Sequence, residues 1–251
     1  MRRFTILLVT LLLVTSFSVF GQEENGENEI FFVQLLQPHN DQIEAFENAV
    51  QEHNQTYHSE DGVMVTYQIT GNTHGHYGFV VGPYTWTEWE NREQSDDHRM
   101  HFKNEIMPLV KHTGEPSAWK RLPSFELNQP DISEYSGKSI ITILTIKDGQ
   151  YARFMKTLEQ WHKANTESEE FDGSYNVYSR QLSGKNKISI VASLENGWAE
   201  LDEDRSLRQR FEEIHGKSDW DLWTEDVEKV LESSEVSTRV YLPNLSVESN
   251  N

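Results

Sequence analysis

The chain has 251 residues, a formal net charge of −19 and no cysteine. That length holds one large domain or two small ones, and the missing cysteines exclude disulfides, thiolate metal sites and a lipid-modified cysteine. So acidic a surface repels phosphate backbones and anionic headgroups, which leaves nucleic acid out of the expected partners.

Arg2-Arg3, an apolar run from Phe4 to Phe20 and then Gly21-Gln22 read as a secretory signal peptide over residues 1–21. The run is slightly short of the roughly 20 residues a spanning helix needs. Cleavage is therefore expected rather than retention as an anchor, with a secreted or periplasmic location and no membrane insertion afterwards. Removing the segment takes away two arginines and no acid, leaving 20 basic against 41 acidic residues. A cysteine-free exported chain must rest on an ordinary core, and two units near 100 residues each supply one.

Residues 22–29 are polar and aperiodic, a disordered tether. Ile30 to Leu36 reads as a strand ended by Pro38. In the helix that follows, Ile43, Phe46, Val50, His53 and Tyr57 recur at three- and four-residue steps and define a buried face. Val63 to Thr70 and Tyr77 to Val81 read as strands, the second broken by Gly82-Pro83. Thr87 with Glu90 makes a capping box for the next helix, whose later apolar face is Phe102, Ile106, Leu109 and Val110, with Pro108 near its end. Ala118 to Leu122 is a fourth strand. Residues 126–138 carry Pro, Gly, Ser and acids without a pattern and read as a linker. The order then repeats: a strand at Ile140 to Ile146, a helix lined by Tyr151, Phe154, Leu158 and Trp161, and a hairpin of Tyr175 to Leu182 with Ile188 to Leu194. A helix starts near Trp198, breaks at Gly216 and restarts behind Ser218, and the last strand is Arg239 to Leu242.

Phe46 matches Phe154, Trp86 matches Trp198 and Leu122-Pro123 matches Leu242-Pro243, at offsets of 108, 112 and 120 residues. Repeats of solenoids are far shorter, so this is a duplication of a whole domain: a first unit over 30–125, a second over 139–245, and a tail over 246–251. Each unit has the β-α-β-β-α-β order of a ferredoxin-like fold, an antiparallel sheet with both helices on one face. Strands with one face in water should alternate, yet Ile30-Phe31-Phe32-Val33 and Ile140-Ile141 with Ile143-Leu144 are apolar on both faces. The helix-free face of each sheet must also be covered, and the sheet of the other unit covers it. The expected fold class is α+β: two tandem units whose sheets pack into one pseudo-symmetric barrel, an intrachain pseudo-dimer.

In this element order and duplication the chain resembles the dimeric α+β barrel superfamily, which includes antibiotic-biosynthesis-type monooxygenases. The resemblance covers nearly all of Ile30 to Leu245. It implies small-molecule chemistry of monooxygenase or isomerase type without an organic cofactor, and carries no catalytic motif that fixes one residue.

The residues themselves suggest a site in the first unit, which holds eight of the ten histidines. His53 lies on the apolar helix face where the second unit has Trp161, and His98, four residues before Phe102, tilts toward the sheet as well. The two would meet between helices and sheet as an acid/base or anchoring pair, with Asn54, Tyr57 and Trp89 at the rim of a ligand pocket. The opposing reading makes both of them core histidines bonded to backbone or water. His74-Gly75-His76, if on one strand face, has a spacing used for metals, with His101 or His112 nearby, and such a set suits Zn, Cu or non-haem Fe. Its opposite is an exposed polar hairpin. No G-x-S-x-G or H-E-x-x-H occurs, and Ser136-Gly137-Lys138-Ser139 lacks the earlier glycine of a phosphate loop. The leading expectation is binding, with oxidation or isomerisation, of a small apolar or aromatic molecule and no cofactor. A non-enzymatic secreted interaction module and a histidine-based metalloenzyme are the alternatives.

Overall fold

A computed structural model describes residues 29–60, 62–128, 137–169, 171–182, 184–202 and 206–248. The expected signal peptide, nearly all of the tether and the middle of the linker lie outside these residues. The elements of the first half are β1 (Ile30–Pro38), α1 (Ile43–Tyr57), β2 (Met64–Gln68), β3 (Tyr77–Tyr84), α2 (Trp86–Asn91), α3 (Asp96–His101), β4 (Val110–Thr113) and β5 (Ser117–Arg121). The second half contributes β6 (Lys138–Ile146), α4 (Tyr151–Thr166), β7 (Ser174–Gln181), β8 (Lys187–Ser193), α5 (Leu207–His215), α6 (Asp219–Val230) and β9 (Leu231–Tyr241). Among the described residues no helix is long and apolar enough to cross a membrane.

Each half pairs its strands in the ferredoxin-like order, β5-β1-β3-β2 and β9-β6-β8-β7. The two sheets do more than face each other. Their edges hydrogen-bond at two junctions, β2 with β9 and β5 with β7, so eight strands close into a ring. A closed ring has no free edge. Strand β4, absent from the sequence reading, occupies the stretch of the β1 edge that β5 leaves uncovered.

The two-sided strands now find their partners. From β1, Phe32 and Leu36 turn toward the helices while Phe31, Val33 and Leu35 turn into the barrel. From β6, Ile141 and Ile143 point inward, and Leu144 and Ile146 lie with the helices. The helix–sheet layers form one core per unit, the first around Phe46, Val50 and Ile106, the second around Phe154, Leu158 and Ile188.

Three local readings change. The chain does not leave β3 at Gly82: it passes a cis Gly82–Pro83 peptide and stays extended to Tyr84. Glycine is needed there because a Cβ would lie 2.7 Å from the Ile30 carbonyl oxygen. That longer strand moves the capping box two residues back, to Thr85 and Glu88. Helix α3 is short and continues through a π-helical turn at Phe102–Ile106 and a 3-10 turn at Met107–Leu109, where Pro108 ends it.

After its last strand, each unit sends its chain across to the other. Phe125 is buried in the second unit's core and Leu127 bridges Tyr175, while Leu245 is buried in the first unit's core and Val247 bridges Val63. The matched segments Leu122-Pro123 and Leu242-Pro243 are thus the start of a reciprocal exchange. Leu245 is 2% exposed, so Leu245→Ala should lower unfolding stability by about 2–5 kcal/mol. It should also speed amide exchange at Val63 and Val65, far away in sequence. A loss below about 0.5 kcal/mol, the range of surface substitutions, would show that the crossing carries no load.

Candidate functional site

The helix–sheet layer of the first unit is not fully packed. Between α1, α3 and the outer faces of β1 and β3 lies a cleft of about 380 Å³, bordered by Phe32, Phe79, Trp89 and Phe102 on its apolar side and by His53, His58 and His98 on its polar side. A wider groove of about 850 Å³ lies beyond, and the two share Arg92 and His98.

Helical phase puts His53 here. Phe46, Val50 and His53 fall on the buried stripe of α1, and His53 is 2% exposed. Ser95 caps α3, its hydroxyl accepting from the His98 backbone N–H, and so presents His98 and His101, three residues apart, toward α1. The rings line up. His53 Nε2 lies 3.2 Å from His98 Nε2, and His53 Nδ1 lies 3.2 Å from His101 Nδ1. A neutral imidazole has one N–H and one bare nitrogen, so His53 donates to one neighbour and accepts from the other. His101 Nε2 in turn lies 4.0 Å from the exposed Glu52 carboxylate. The row runs from the cleft wall through the helix layer to solvent.

Burial, reinforced by the positive charge that His98, His58 and His101 would share with it, pushes the His53 imidazole down from 6.5 to about 3. It is therefore neutral under any ordinary condition and stores no proton. It passes one only by accepting at one nitrogen while releasing from the other. His98 is half-buried and borders both cavities.

The remaining expected site residues are scattered in role. Tyr57 stacks on His98, ring centroids 5.0 Å apart and planes within 6°. Trp89 borders the cleft and stacks on Phe32 at 3.5 Å. Asn54 also borders it, but its Nδ2 donates to the Leu245 carbonyl at 2.7 Å and so anchors the crossing tail. His74 and His76 are not on a strand face: they flank a turn before β3, and each Nδ1 bonds a backbone carbonyl, Ile69 for His74 and Thr73 for His76, at 2.9 Å. The His-Gly-His spacing misleads because Gly75, at φ +79°, reverses the chain between the two rings. Among the described residues the donor set that converges is His53, His58 and His98, with one ring nitrogen from each within 4.8 Å of the others. His101 and His58 escaped the sequence reading as members of this cluster. The i,i+3 step from His98 signalled the first, while His58 sits just past the end of α1, where helical phase no longer applies. In the second unit the place of His53 is taken by Trp161, which packs on Tyr175 with ring centroids 4.6 Å apart.

No protein-family model matches the chain, and no curated protein matches it. Solved structures do. An anthrone oxidase-like protein is similar with a TM-score of 0.57 at 10% identity, over 90% of this chain and 95% of that one. A candidate monooxygenase from Lactobacillus acidophilus NCFM is similar at a TM-score of 0.52 and 13% identity, covering 88% of this chain and 96% of its own. Another from Fusobacterium nucleatum gives 0.52 and 12%, covering 86% and 93%. At such identities the likeness is one of fold. The chain thus has the α+β barrel fold of these structures, with both four-stranded halves of the barrel coming from one polypeptide.

Proposed function

We propose that this protein, exported from the cell, binds a small, largely apolar aromatic molecule in the first unit's cleft and removes a proton from it, leading to oxidation or isomerisation without an organic cofactor. The observation that carries this reading is the imidazole row His98, His53, His101. His98 takes the proton from the bound molecule, and the neutral His53 hands a proton on to His101 near the exposed Glu52. Phe32, Trp89 and Phe102 supply flat apolar contact for an aromatic body. The likeness to an anthrone oxidase-like protein and to candidate monooxygenases supports the same class of chemistry.

Anthrone is the direct probe. Its ring methylene is acidic, and loss of a proton gives a carbanion that dioxygen oxidises; overall, anthrone and O2 give anthraquinone and water. Wild type should consume one O2 per anthrone, and His98→Gln should lower the rate about 10²–10⁴-fold. His101→Ala should slow turnover less and be rescued by added imidazole. Absence of anthrone binding and turnover in wild type, or full activity in His98→Gln, would remove the proposal.

A second reading is favoured by one observation, the convergence of His53, His58 and His98. Three neutral imidazoles are a donor set for a divalent ion such as Zn, Cu or non-haem Fe, held at roughly 2.0–2.1 Å for zinc. On this reading wild type equilibrated with Zn²⁺ and passed through a desalting column retains one equivalent, the His74→Ala/His76→Ala double variant retains it too, and His53→Ala retains none. Equal zinc content in wild type and His53→Ala would end it.

A further inference from the structure

The inner faces of the two sheets enclose a lumen of about 280 Å³, on the other side of the sheet from the histidine cleft. Phe31, Val33, Ile141 and Ile143 make much of its wall apolar. Three cations nevertheless face it, Arg180, Lys187 and Arg239, against one carboxylate, Glu115. In a chain of net charge −19 that is a local reversal of sign.

The two arginines are differently placed. Arg180 donates from Nη2 to Glu115 Oε2 at 2.9 Å, and the Glu115 side chain is 79% exposed, so this pair belongs to the mouth. Arg239 has no such partner. It is 8% exposed, its Nε is buried without a hydrogen-bond partner, and no described residue forms an ion pair with its guanidinium. Gln68, its neighbour across the β2–β9 junction, turns its amide nitrogen to the Thr70 carbonyl instead. Desolvation pulls the guanidinium down to about 10, which still leaves it charged at neutral pH. A buried cation without an acceptor is costly, and an anion placed against it would offset that cost.

The space before it is kept open. A Cβ on Gly78 would stand 3.2 Å from Arg239 Nη1 and 2.9 Å from Thr66 Oγ1. Thr66 and Ser139, on the strands to either side of β9, bring hydroxyls to the same wall. Lys187 faces the lumen six residues further along β6, opposite Thr145 rather than Ser139, so at this end one buried guanidinium beside two hydroxyls balances a single negative charge, and the apolar wall suits a hydrocarbon body. A phosphate would bring more charge and hydration than this wall can replace.

We propose that the barrel lumen is a second ligand site, for a monocarboxylate with an apolar body, its carboxylate on Arg239 and its body among the lumen's aliphatic and aromatic side chains. At about 30 Å³ per water-sized unit, the lumen takes on the order of ten non-hydrogen atoms, the size of octanoate. The site does not depend on the chemistry assigned to the cleft.

Calorimetric titration of the full chain with sodium octanoate, 1-octanol and inorganic phosphate tests it. Octanoate binds wild type, 1-octanol binds at least tenfold more weakly, and phosphate gives no heat. Arg239→Met loses octanoate affinity at least tenfold, whereas His53→Ala keeps it. No binding of octanoate to wild type, unchanged affinity in Arg239→Met, or loss of binding in His53→Ala would each overturn the assignment. Should Arg239→Met fail to fold, Ile141→Trp fills the lumen without touching the charge, and octanoate binding that survives this change overturns the proposal equally.

Discussion

Phe31, Val33 and Leu35 on β1, with Ile141 and Ile143 on β6, are shielded from water only because the two sheets close on each other. The closure is made by backbone pairing along β2–β9 and β5–β7, and everything else in the molecule hangs on those two seams. Each seam satisfies a row of peptide groups that would otherwise form an exposed sheet edge, and together they turn two half-covered sheets into one enclosed interior. The tails after β5 and β9 reinforce the seams by burying Phe125 and Leu245 in the opposite unit's core. Neither half is then a complete domain without the other.

Closure also creates two kinds of interior, one inside the ring and one between each sheet and its helices. The latter is filled in the second unit, where Trp161, Phe171 and Tyr175 occupy the layer. In the first unit the same layer has a histidine in place of that tryptophan and stays open. Four buried or half-buried imidazoles share this layer; His53 bonds to His98 and His101, and burial, reinforced by the imidazoles around it, holds His53 itself neutral. At His53 the cleft wall is thus polar without carrying charge.

Much of this architecture was legible before any coordinates. The two-sided strands at Ile30 and Ile140 required cover on both faces, and the duplicated element order supplied the cover. Helical phase brought His53 and His98 to a common side. What stayed hidden depended on contacts distant in sequence. The β4 segment is too short and too polar to signal a strand and forms only because β1 has an unpaired edge beside it. His74 and His76 share a spacing with metal sites, yet a left-handed glycine separates their rings. Arg239 is the clearest case. A charged residue in a C-terminal strand reads as solvent-facing, and nothing local distinguishes it; it becomes buried only when β9 completes the ring.

Register across the seams relates Gln68–Arg239 on one side to Arg180–Trp119 on the other, so Arg239 and Trp119 stand at corresponding places in the two halves. Two identical chains could not arrange this. Whatever stood at that place would appear twice, and a second deep guanidinium would confront the first in the same small chamber, or a second indole would fill it. Covalent fusion lifts that obligation: one copy keeps bulk, the other acquires charge, and the two sides of the chamber are free to differ.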